Sequence, residues 1–501
     1  MSAITSLKNI PVEPAELVIY LYCVVASWPP EDRSIASLDQ PTLESYVVAA
    51  LERDDGLEVV RSLMRVLPRH IENDDDRGQL LTILKCFDFL FLRIHPRSLI
   101  VPPTLGSVLH VPLWLRMLAE LRLERGYYAE HKEERLIARG PLLRTARGEH
   151  AANADSMADR FSAIAVVTKI FRHDHRVISL DHVVIGADRL AGVPLGAPPG
   201  DERIVHIPMA VESGELGIKV RTHGNNFLFE YTLVDPSAGA GDHSTDYAVS
   251  SFLNAAHAAG KSDILLAPEF TIDSQASGKV GDALARSGVL KHRLVAAGTG
   301  ATIDMRNGLP WNEMRIYNGL GVLLWSQRKL WPASIDSDTA NKLGHPIPAG
   351  SAGLEATASG EVLIVADIDT LGRCVILICQ DIKLFAANAL LHALQCDWVL
   401  VPVLDRGVNV GRWTHQATFG LTEDCQTRFI VGSSLAMAQL MGEPVTTPCL
   451  LAVGPRRSLD ASEPARALAL KALDPVSRDR FVTIQWRDEN WQASALGQMA
   501  P

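Results

Sequence analysis

The 501-residue chain lacks several features that would assign it to a membrane, an oxidising compartment or nucleic acid. No apolar run reaches the roughly 18–20 residues needed to cross a bilayer, and residues 1–8 lack the charged-then-apolar order of a secretory signal. The seven cysteines are odd in number and include no C-x-x-C pair, which disfavours a disulfide framework or a zinc ribbon. A net charge of −10 argues against a generic nucleic-acid binder. Together these absences predict a cytoplasmic protein with reduced thiols and no membrane anchor.

The composition is that of a globular protein, with 47% hydrophobic and 21% charged residues. The length exceeds one ordinary domain, so two or three domains are expected. In the first part, apolar residues recur at the three- and four-residue spacing of a helix, and strand-like alternation is scarce. We therefore predict an all-α domain over residues 1–189, with helices at 15–27, 43–51, 57–67, 79–94, 113–123 and 154–171.

A segment rich in proline and glycine, residues 190–201, is predicted to be a linker. After it the pattern changes to strands that alternate with helices, which predicts a layered α/β domain over residues 202–501. The predicted strands are 226–234, 263–268, 293–298, 315–325, 361–368, 375–378, 398–403, 429–433 and 480–486.

One of these strands ends on a cysteine. The apolar residues 375–378 lead directly to Cys379, the polar pair Gln380 and Asp381 follows, and residues 384–394 have a helical pattern. At such a strand-to-helix turn a thiol lies beside backbone N–H groups and the positive end of a helix dipole, which favour a thiolate. A lone buried cysteine is also common core filler, so the thiol needs a base and a cation nearby to indicate catalysis.

Two further strand ends carry suitable partners. Glu269 follows the apolar residues 264–268, where desolvation would raise a carboxyl pKa toward the range of a general base. Lys329 follows a predicted strand that begins at Arg315 and precedes an aromatic residue and a proline. Taken singly, the glutamate could cap a helix and the lysine could lie on the surface. The ordered set of Glu, Lys and Cys, each at a strand end of one domain, predicts an active site.

These motifs resemble those of the nitrilase superfamily, the carbon–nitrogen hydrolases. Leu-Ala-Pro-Glu269-Phe is similar to the family's glutamate motif, Arg-Lys329-Leu-Trp-Pro to its lysine motif, and Leu-Ile-Cys379-Gln-Asp-Ile-Lys to its nucleophile motif. The resemblance covers residues 205–490 and none of the helical domain. It implies a four-layer αββα sandwich and a second glutamate ahead of the cysteine. Glu355 is the candidate for that glutamate, with Glu361 as the alternative.

The resemblance also implies a reaction. Cys379 would attack an amide, carbamoyl or nitrile carbon to form a covalent acyl-enzyme, with Glu269 as base and acid and Lys329 as the stabilising cation. Gln380 and Asp381 would belong to the oxyanion site and pocket, and Glu355 would orient Lys329. No metal or organic cofactor is required, and the family's domains commonly form symmetric homo-oligomers.

Three departures from the family pattern bear on the site. Gln380 stands where the family usually has an aromatic residue, and the lysine motif runs with almost no turn before it. Residues 334–353 form an insert rich in Pro, Gly, Ser and Asp, whose loops are candidates for a lid or an oligomer contact. These departures are also consistent with a different function. The chain would then be a nitrilase-like binding or sensing module that uses the helical domain to dock a protein partner.

A metal site and a dinucleotide site have weaker support in the sequence. His173, Asp174, His175 and His182 could ligate a metal, but they equally fit a polar connector after a helix. The sequence Gly239-Ala-Gly241 before a helix could belong to a dinucleotide-binding oxidoreductase, but the third glycine and the acidic residue of that motif are missing.

Overall fold

The computed structural model describes most of the chain, in several stretches. These are residues 5–29, 41–96, 110–140, 142, 161–173, 175–190, 201–223, 226–237, 245–287, 292–425, 427–444, 446–455, 466–467, 480–487 and 490–493. The predicted linker falls almost wholly on residues 191–200, and the Gly239–Gly241 motif and Asp174 also lie outside the described residues.

The chain divides into two compact units. The first comprises Met1–Ile170 with His182–Val184 and Ala393–Gln395, and the second comprises Phe171–Asp181, Ile185–His392 and Cys396–Pro501. The first unit thus ends its main segment at residue 170 rather than at 189.

The helices of the first unit confirm five of the predicted ones. They are α1 (Pro14–Ala26), α2 (Pro41–Leu51), α3 (Gly56–Leu63), α4 (Asp74–Phe91) and α5 (Leu113–Arg125). Helix α4 begins where Asn73 accepts a hydrogen bond from the Asp76 backbone N–H at 2.9 Å, and Asp76 accepts one from the Asn73 N–H at 3.3 Å. Such reciprocal capping satisfies backbone donors that the first helical turn leaves unpaired.

The prediction of an all-α first domain is wrong, because the described part of this unit also contains strands. They are β1 (Thr5–Ser6), β2 (His70–Ile71), β3 (Ala129–His131), β4 (Glu134–Ala138) and β5 (Ile164–Thr168). The last three form one sheet in the order β3-β4-β5. The helix predicted at 154–171 is replaced in its described part by β5, whose run Ile-Ala-Val-Val-Thr is rich in β-branched residues that favour strands.

A buried aspartate joins helix and sheet in the first unit. The carboxylate of Asp88 on α4 accepts hydrogen bonds from the backbone N–H groups of Ser162 at 2.7 Å, Ala163 at 2.7 Å and Ile164 at 3.1 Å. The side chains of Phe87, Phe91 and Ile164 belong to the same apolar core.

The second unit is a mixed α/β structure. Its helices are α6 (Thr245–Ala259), α7 (Ser274–Ser287), α8 (Ser337–Lys342), α9 (Phe385–Leu394), α10 (Trp413–Asp424) and α11 (Ala436–Leu440). Its strands begin with β6 (Ile170–His173), which starts on the last residue of the first unit, and β7 (Arg176–Ile185). They continue with β8 (Arg203–His206), β9 (Leu216–His223), β10 (Asn226–Leu233), β11 (Ser262–Leu266), β12 (His292–Arg306), β13 (Leu309–Asn318), β14 (Leu323–Arg328), β15 (Ser334–Asp336), β16 (Ala352–Glu355), β17 (Val362–Ile368), β18 (Gly372–Ile376), β19 (Trp398–Val403), β20 (Arg428–Ser433), β21 (Leu450–Pro455), β22 (Arg466–Ala467), β23 (Val482–Arg487) and β24 (Asn490–Ala493).

Two large sheets organise the second unit. One has the order β14-β13-β12-β11-β8-β23-β24, and the other has the order β22-β21-β20-β19-β18-β17-β7-β6. Parallel pairing occurs at the centre of each sheet, where β11 pairs with β8 and β12, and β19 pairs with β18 and β20. Strands β11, β19 and β20 are buried along their whole length, as expected of parallel strands covered on both faces.

A turn corrects the prediction of one strand over 315–325. The segment forms two antiparallel strands, β13 and β14, joined by residues 319–322. Asn318 shapes the turn, since its Oδ1 accepts hydrogen bonds from the N–H groups of Leu320 at 2.9 Å and Val322 at 3.0 Å. Gly321 has φ +75°, and a Cβ there would lie 2.0 Å from the carbonyl oxygen of Gly281, so only glycine fits. The lysine motif therefore follows a glycine-containing hairpin after all.

The predicted insert at 334–353 is largely built of regular elements rather than open loops. It contains β15, helix α8 and the start of β16, within a small sheet of order β15-β16-β10-β9. Strand β16 pairs in parallel with β10, so that Glu355 lies opposite Phe229. The insert therefore provides the strand that carries Glu355. Across the described residues, no helix is both long and apolar enough to cross a membrane.

Candidate active site

Four of the predicted site residues lie at strand ends of the second unit. Glu269 follows β11, Lys329 directly follows β14, Glu355 is the last residue of β16, and Cys379 follows β18. The side chains of Glu269 and Lys329 are fully buried, and Glu355 and Cys379 are each 5% exposed.

Lys329 bridges the two glutamates. Its Nζ lies 2.7 Å from Glu269 Oε1, and 2.7 Å and 2.6 Å from the two carboxylate oxygens of Glu355. The ammonium group has three N–H donors, so one donor points to Glu269 and two to Glu355. The structure therefore brings Glu355, rather than the alternative Glu361, to the lysine. Glu361 instead pairs with Arg306 in an exposed ion pair.

Backbone and amide donors fix the carboxylate of Glu269. Its Oε1 accepts a hydrogen bond from Asn312 Nδ2 at 2.9 Å, and its Oε2 accepts one from the backbone N–H of Leu404 at 3.0 Å. Asn312 is fully buried on β13, and its backbone carbonyl accepts the N–H of Lys329 at 2.8 Å. One residue thus positions both the glutamate and the lysine.

The second glutamate is held by the chain that follows the lysine. Glu355 Oε2 accepts a hydrogen bond from the backbone N–H of Ala333 at 2.9 Å. The N–H of Glu355 in turn donates to the Ala333 carbonyl at 3.0 Å. These bonds keep the end of β16 and the lysine segment in register.

Asp381, predicted as a pocket residue, is fully buried and binds backbone. Its carboxylate accepts hydrogen bonds from the N–H groups of Leu330 and Trp331, both at 3.0 Å, and from Ile378 at 3.3 Å. Burial raises the pKa of its carboxyl group to about 7, although Lys329 and the two backbone donors oppose the rise. Asp381 therefore ties the lysine segment to the cysteine turn. Gln380, the other predicted pocket residue, is half-buried between Cys379 and Asp381.

The backbone of Cys379 adopts a conformation that few side chains tolerate. Its φ is +53°, in the left-handed region, at the start of a short 3-10 helix, Cys379–Lys383. Phe270, the residue after Glu269, has φ +58°. Each such residue costs on the order of 1–3 kcal/mol, and such strain concentrates at functional sites.

The charges of this cluster shift the pKa values of its members. Burial raises the pKa of Glu269 to about 7; Lys329 opposes the rise, and Glu355 adds to it. Burial alone would lower the pKa of Lys329, but Glu269 and Glu355 outweigh it and raise that pKa well above its usual value. The lysine therefore stays cationic, while the glutamate titrates near neutrality.

The position of Cys379 at a helix start led us to expect a thiolate, but the structure favours the neutral thiol. Burial raises the pKa of Cys379 well above its usual value, and Glu269 and Glu355 add to the rise while Lys329 opposes it. The negative carboxylates and the low dielectric outweigh the local backbone dipoles. The raised pKa favours the neutral thiol at Cys379.

Sequence reasoning missed several contributors. Asn312 and the Leu404 N–H bind Glu269, and Asp405, the next residue, interacts electrostatically with Cys379. Tyr231 is buried, and burial followed by the charges of Glu355 and Glu269 raises the pKa of its hydroxyl. The local sequence does not single out Asn312, which lies on β13 among other polar residues such as Glu313 and Arg315. Among the described residues, no group of three His, Cys, Asp or Glu side chains is arranged to hold a metal ion.

In comparisons with known proteins, this chain is similar to solved structures but matches no family model and no curated sequence. Among solved structures, Nit3 of Saccharomyces cerevisiae, a member of branch 10 of the nitrilase superfamily, is 13% identical with a TM-score of 0.35, over 58% of this chain and 92% of Nit3. A mutant amidase from Nesterenkonia sp. AN1 with acetamide covalently added at its active-site cysteine is 14% identical with a TM-score of 0.34, over 58% of this chain and 93% of the amidase.

A glutamine-dependent NAD+ synthetase from Acinetobacter baumannii is 12% identical with a TM-score of 0.35. That match covers 60% of this chain and 48% of the synthetase. The three matches thus span 58–60% of this chain.

Proposed function

We propose that the second unit is a cysteine-dependent hydrolase of non-peptide carbon–nitrogen bonds, acting on a small amide, carbamoyl compound or nitrile. One observation carries the proposal: the buried Lys329 ammonium bridges Glu269 and Glu355 at 2.6–2.7 Å, in electrostatic contact with the thiol of Cys379. A cation, a carboxylate with a pKa near 7 and a strained cysteine together supply a base, a charge stabiliser and a nucleophile.

The first chemical step needs proton transfer because the thiol is neutral. Glu269 takes the proton from Cys379 Sγ, and the sulfur attacks the substrate's carbonyl or nitrile carbon. A C–S bond forms, and the electron pair of the C=O or C≡N π bond moves onto oxygen or nitrogen. Lys329 stabilises that negative charge, with the backbone N–H of Gln380 as a second donor.

The second half of the reaction releases the products. For an amide, Glu269 returns the proton to the leaving nitrogen as the C–N bond breaks, which leaves a thioester on Cys379. Glu269 then accepts a proton from water, and the resulting hydroxide attacks the thioester carbon. The C–S bond breaks, the carboxylic acid leaves, and Glu269 returns the proton to the Cys379 sulfur. Glu355 holds Lys329 in place throughout, and no metal or organic cofactor takes part.

The proposal extends to the architecture and the assembly. Buried His206 on β8 lies 3.0 Å from the Leu266 carbonyl in its own sheet and 3.0 Å from the Ser433 carbonyl on β20, which supports face-to-face packing of the two sheets in an αββα sandwich. We also propose that the chain forms homo-oligomers, and that the first unit serves for docking a protein partner.

The test is intact-mass analysis after incubation with a panel of small amides and nitriles. We expect a covalent adduct on wild-type protein and none on Cys379→Ala. The matched control is Cys374→Ala, a buried cysteine on β18 five residues away. Turnover that persists in Cys379→Ala would contradict the proposal.

The rival function is a nitrilase-like binding or sensing module without turnover. Gln380, in place of the family's aromatic residue, is the observation that favours it. Ligand binding without adduct or product in the same panel would identify this rival.

A further inference from the structure

A second cavity lies in the second unit, apart from the candidate active site. Its volume is about 730 Å³, and its walls include none of Glu269, Lys329, Glu355 or Cys379. The wall comes from the start of β7, the tip of the β12–β13 hairpin and the segment between β16 and β17. The polar side chains that line it include those of His175, Arg176, Arg306, Thr357, Ser359 and Glu361.

Two guanidinium groups face this cavity. Arg176 is half-buried, stacks on Trp331 with its guanidinium carbon 4.0 Å from the ring centroid, and donates from Nη1 to the Leu330 carbonyl at 3.0 Å. Among the described residues, that is the one hydrogen bond given by the Arg176 guanidinium, so its other N–H donors are available. Burial lowers the pKa of Arg176 and the like charge of Arg306 lowers it further, while the carboxylates of Asp381 and Glu361 oppose the change.

A buried hydroxyl adds a second, independent signal. Thr357 is only 6% exposed, and its Oγ1 is buried with no hydrogen-bond partner among the described residues. A buried polar group without a partner costs about 1–3 kcal/mol. A ligand oxygen in the cavity would supply the missing partner.

One carboxylate opposes an anion here. Glu361 lines the cavity and pairs with Arg306 at 2.5 Å, but both side chains are about half exposed, at 59% and 46%. Exposed ion pairs contribute roughly 0–1 kcal/mol, so a ligand can replace Glu361 as the partner of Arg306 at little cost.

We propose that this cavity binds a small molecule through the oxyanion of a phosphate group. The guanidinium groups of Arg176 and Arg306 bind the oxyanion, since their planar donor forks match its geometry, and the Thr357 hydroxyl donates the third hydrogen bond. The volume falls within the roughly 300–1,000 Å³ typical of ligand sites.

The site adjoins the segment that presents Lys329. The N–H of Gly360, in the cavity wall, donates to the Lys329 carbonyl at 2.7 Å, and Arg176 binds the carbonyl of the next residue, Leu330. A bound oxyanion therefore contacts Arg176, which binds the Leu330 carbonyl, and lies beside Gly360, which binds the Lys329 carbonyl.

The experiment is isothermal titration calorimetry on the full chain with inorganic phosphate and pyrophosphate at constant ionic strength. We expect binding to wild-type protein, and an affinity about tenfold weaker in Arg306→Gln, because a charge-assisted hydrogen bond is lost. Thr357→Val should also weaken binding without lowering the melting temperature, because the hydroxyl it removes has no partner in the ligand-free protein. The measurement needs no turnover, so its result is independent of the proposed hydrolase.

Two control variants make the result specific. Arg221→Gln removes an exposed arginine of β9 that is likewise paired with a glutamate, Glu230 at 2.7 Å, and should bind as wild type does. Cys379→Ala should also bind unchanged. The proposal is overturned if wild-type protein binds neither anion, if Arg221→Gln weakens binding as much as Arg306→Gln, or if Cys379→Ala abolishes binding.

Discussion

Two buried clusters of charge in the second unit differ in how their charges balance. Arg428 on β20 donates to both carboxylate oxygens of Glu202 at 2.6 Å and 3.0 Å, and its guanidinium carbon lies 3.5 Å from the Trp398 ring centroid. Lys329 instead faces two carboxylates, those of Glu269 and Glu355. The pairs are buried to a similar degree, so burial alone does not distinguish them.

The difference in charge balance explains why one buried ion pair supports the fold and the other contains a group that titrates near neutral pH. In the arginine pair a guanidinium meets a carboxylate through a bidentate fork. In the lysine cluster the second carboxylate leaves one negative charge in excess, and burial of that excess raises the pKa of Glu269 to about 7. The balanced pair supports the fold, whereas the unbalanced cluster holds a group that exchanges protons near neutral pH.

The largest effect is expected from removing the cation of the unbalanced cluster. Lys329→Met leaves two buried carboxylates facing each other and removes the group that stabilises the developing negative charge. We expect kcat/KM to fall by about 10³-fold or more. Steady-state kinetics on the best substrate of the panel measures this, and a fall of less than tenfold would contradict the assigned role.

Breaking the balanced pair should have the opposite pattern. Glu202→Gln removes the carboxylate that binds Arg428 through two hydrogen bonds, and breaking a buried ion pair costs about 3–5 kcal/mol of the free energy of unfolding. Urea denaturation measures the loss, and kcat/KM measured well below the new midpoint should not change. If Glu202→Gln instead lowered activity and left stability intact, the contrast between the two clusters would fail.

A pH profile tests the unbalanced cluster without mutation. Glu269 accepts a proton only when ionised, and its pKa is raised to about 7. We therefore expect kcat/KM to rise with pH through about 7, and to fall tenfold per unit below it. A profile that is flat from pH 5 to 8 would exclude Glu269 as the base.

The smallest effect on activity is expected from removing the side-chain amide of Asn312, which donates a hydrogen bond to Glu269. Asn312→Leu removes the 2.9 Å hydrogen bond to Oε1 without opening space, so the ionised carboxylate loses one donor. We expect the acidic limb of the profile to shift upward by about one pH unit or less, since a hydrogen bond contributes about 1 kcal/mol. The control is Gln327→Leu on β14, whose amide binds backbone groups away from Glu269.

Much of this site was predictable from local sequence. Glu269 and Cys379 each end an apolar run, and a strand that is buried along its length carries its next polar side chain to the sheet edge. Lys329 directly follows strand β14. Glu355 could be placed only through the family resemblance, because its strand β16 lies in a third, smaller sheet. The catalytic roles of these four residues are proposals that the variants above test.

Other features of the fold and the site were not predicted, and several of them depend on contacts between residues distant in sequence. The hairpin turn at Gly321 was missed although the sequence Asn318-Gly319-Leu320-Gly321 carries the Asn-Gly signal of a tight turn. The strand β5 was missed because Phe161 to Val167 fits a buried helix or a buried strand equally well. Asn312 and Leu404 lie 43 and 135 residues from Glu269, and nothing local marks such pairings.

The excess negative charge of the cluster bears on how protons move in the proposed reaction. With Glu269 and Glu355 ionised and Lys329 protonated, the cluster and the neutral thiol carry one net negative charge. Transfer of the Cys379 proton to Glu269 moves that charge from oxygen to sulfur and leaves the total unchanged. A low-dielectric interior strongly penalises a change in its total charge. In the proposed reaction the first proton transfer therefore needs no solvent, which enters later as the water that cleaves the acyl intermediate.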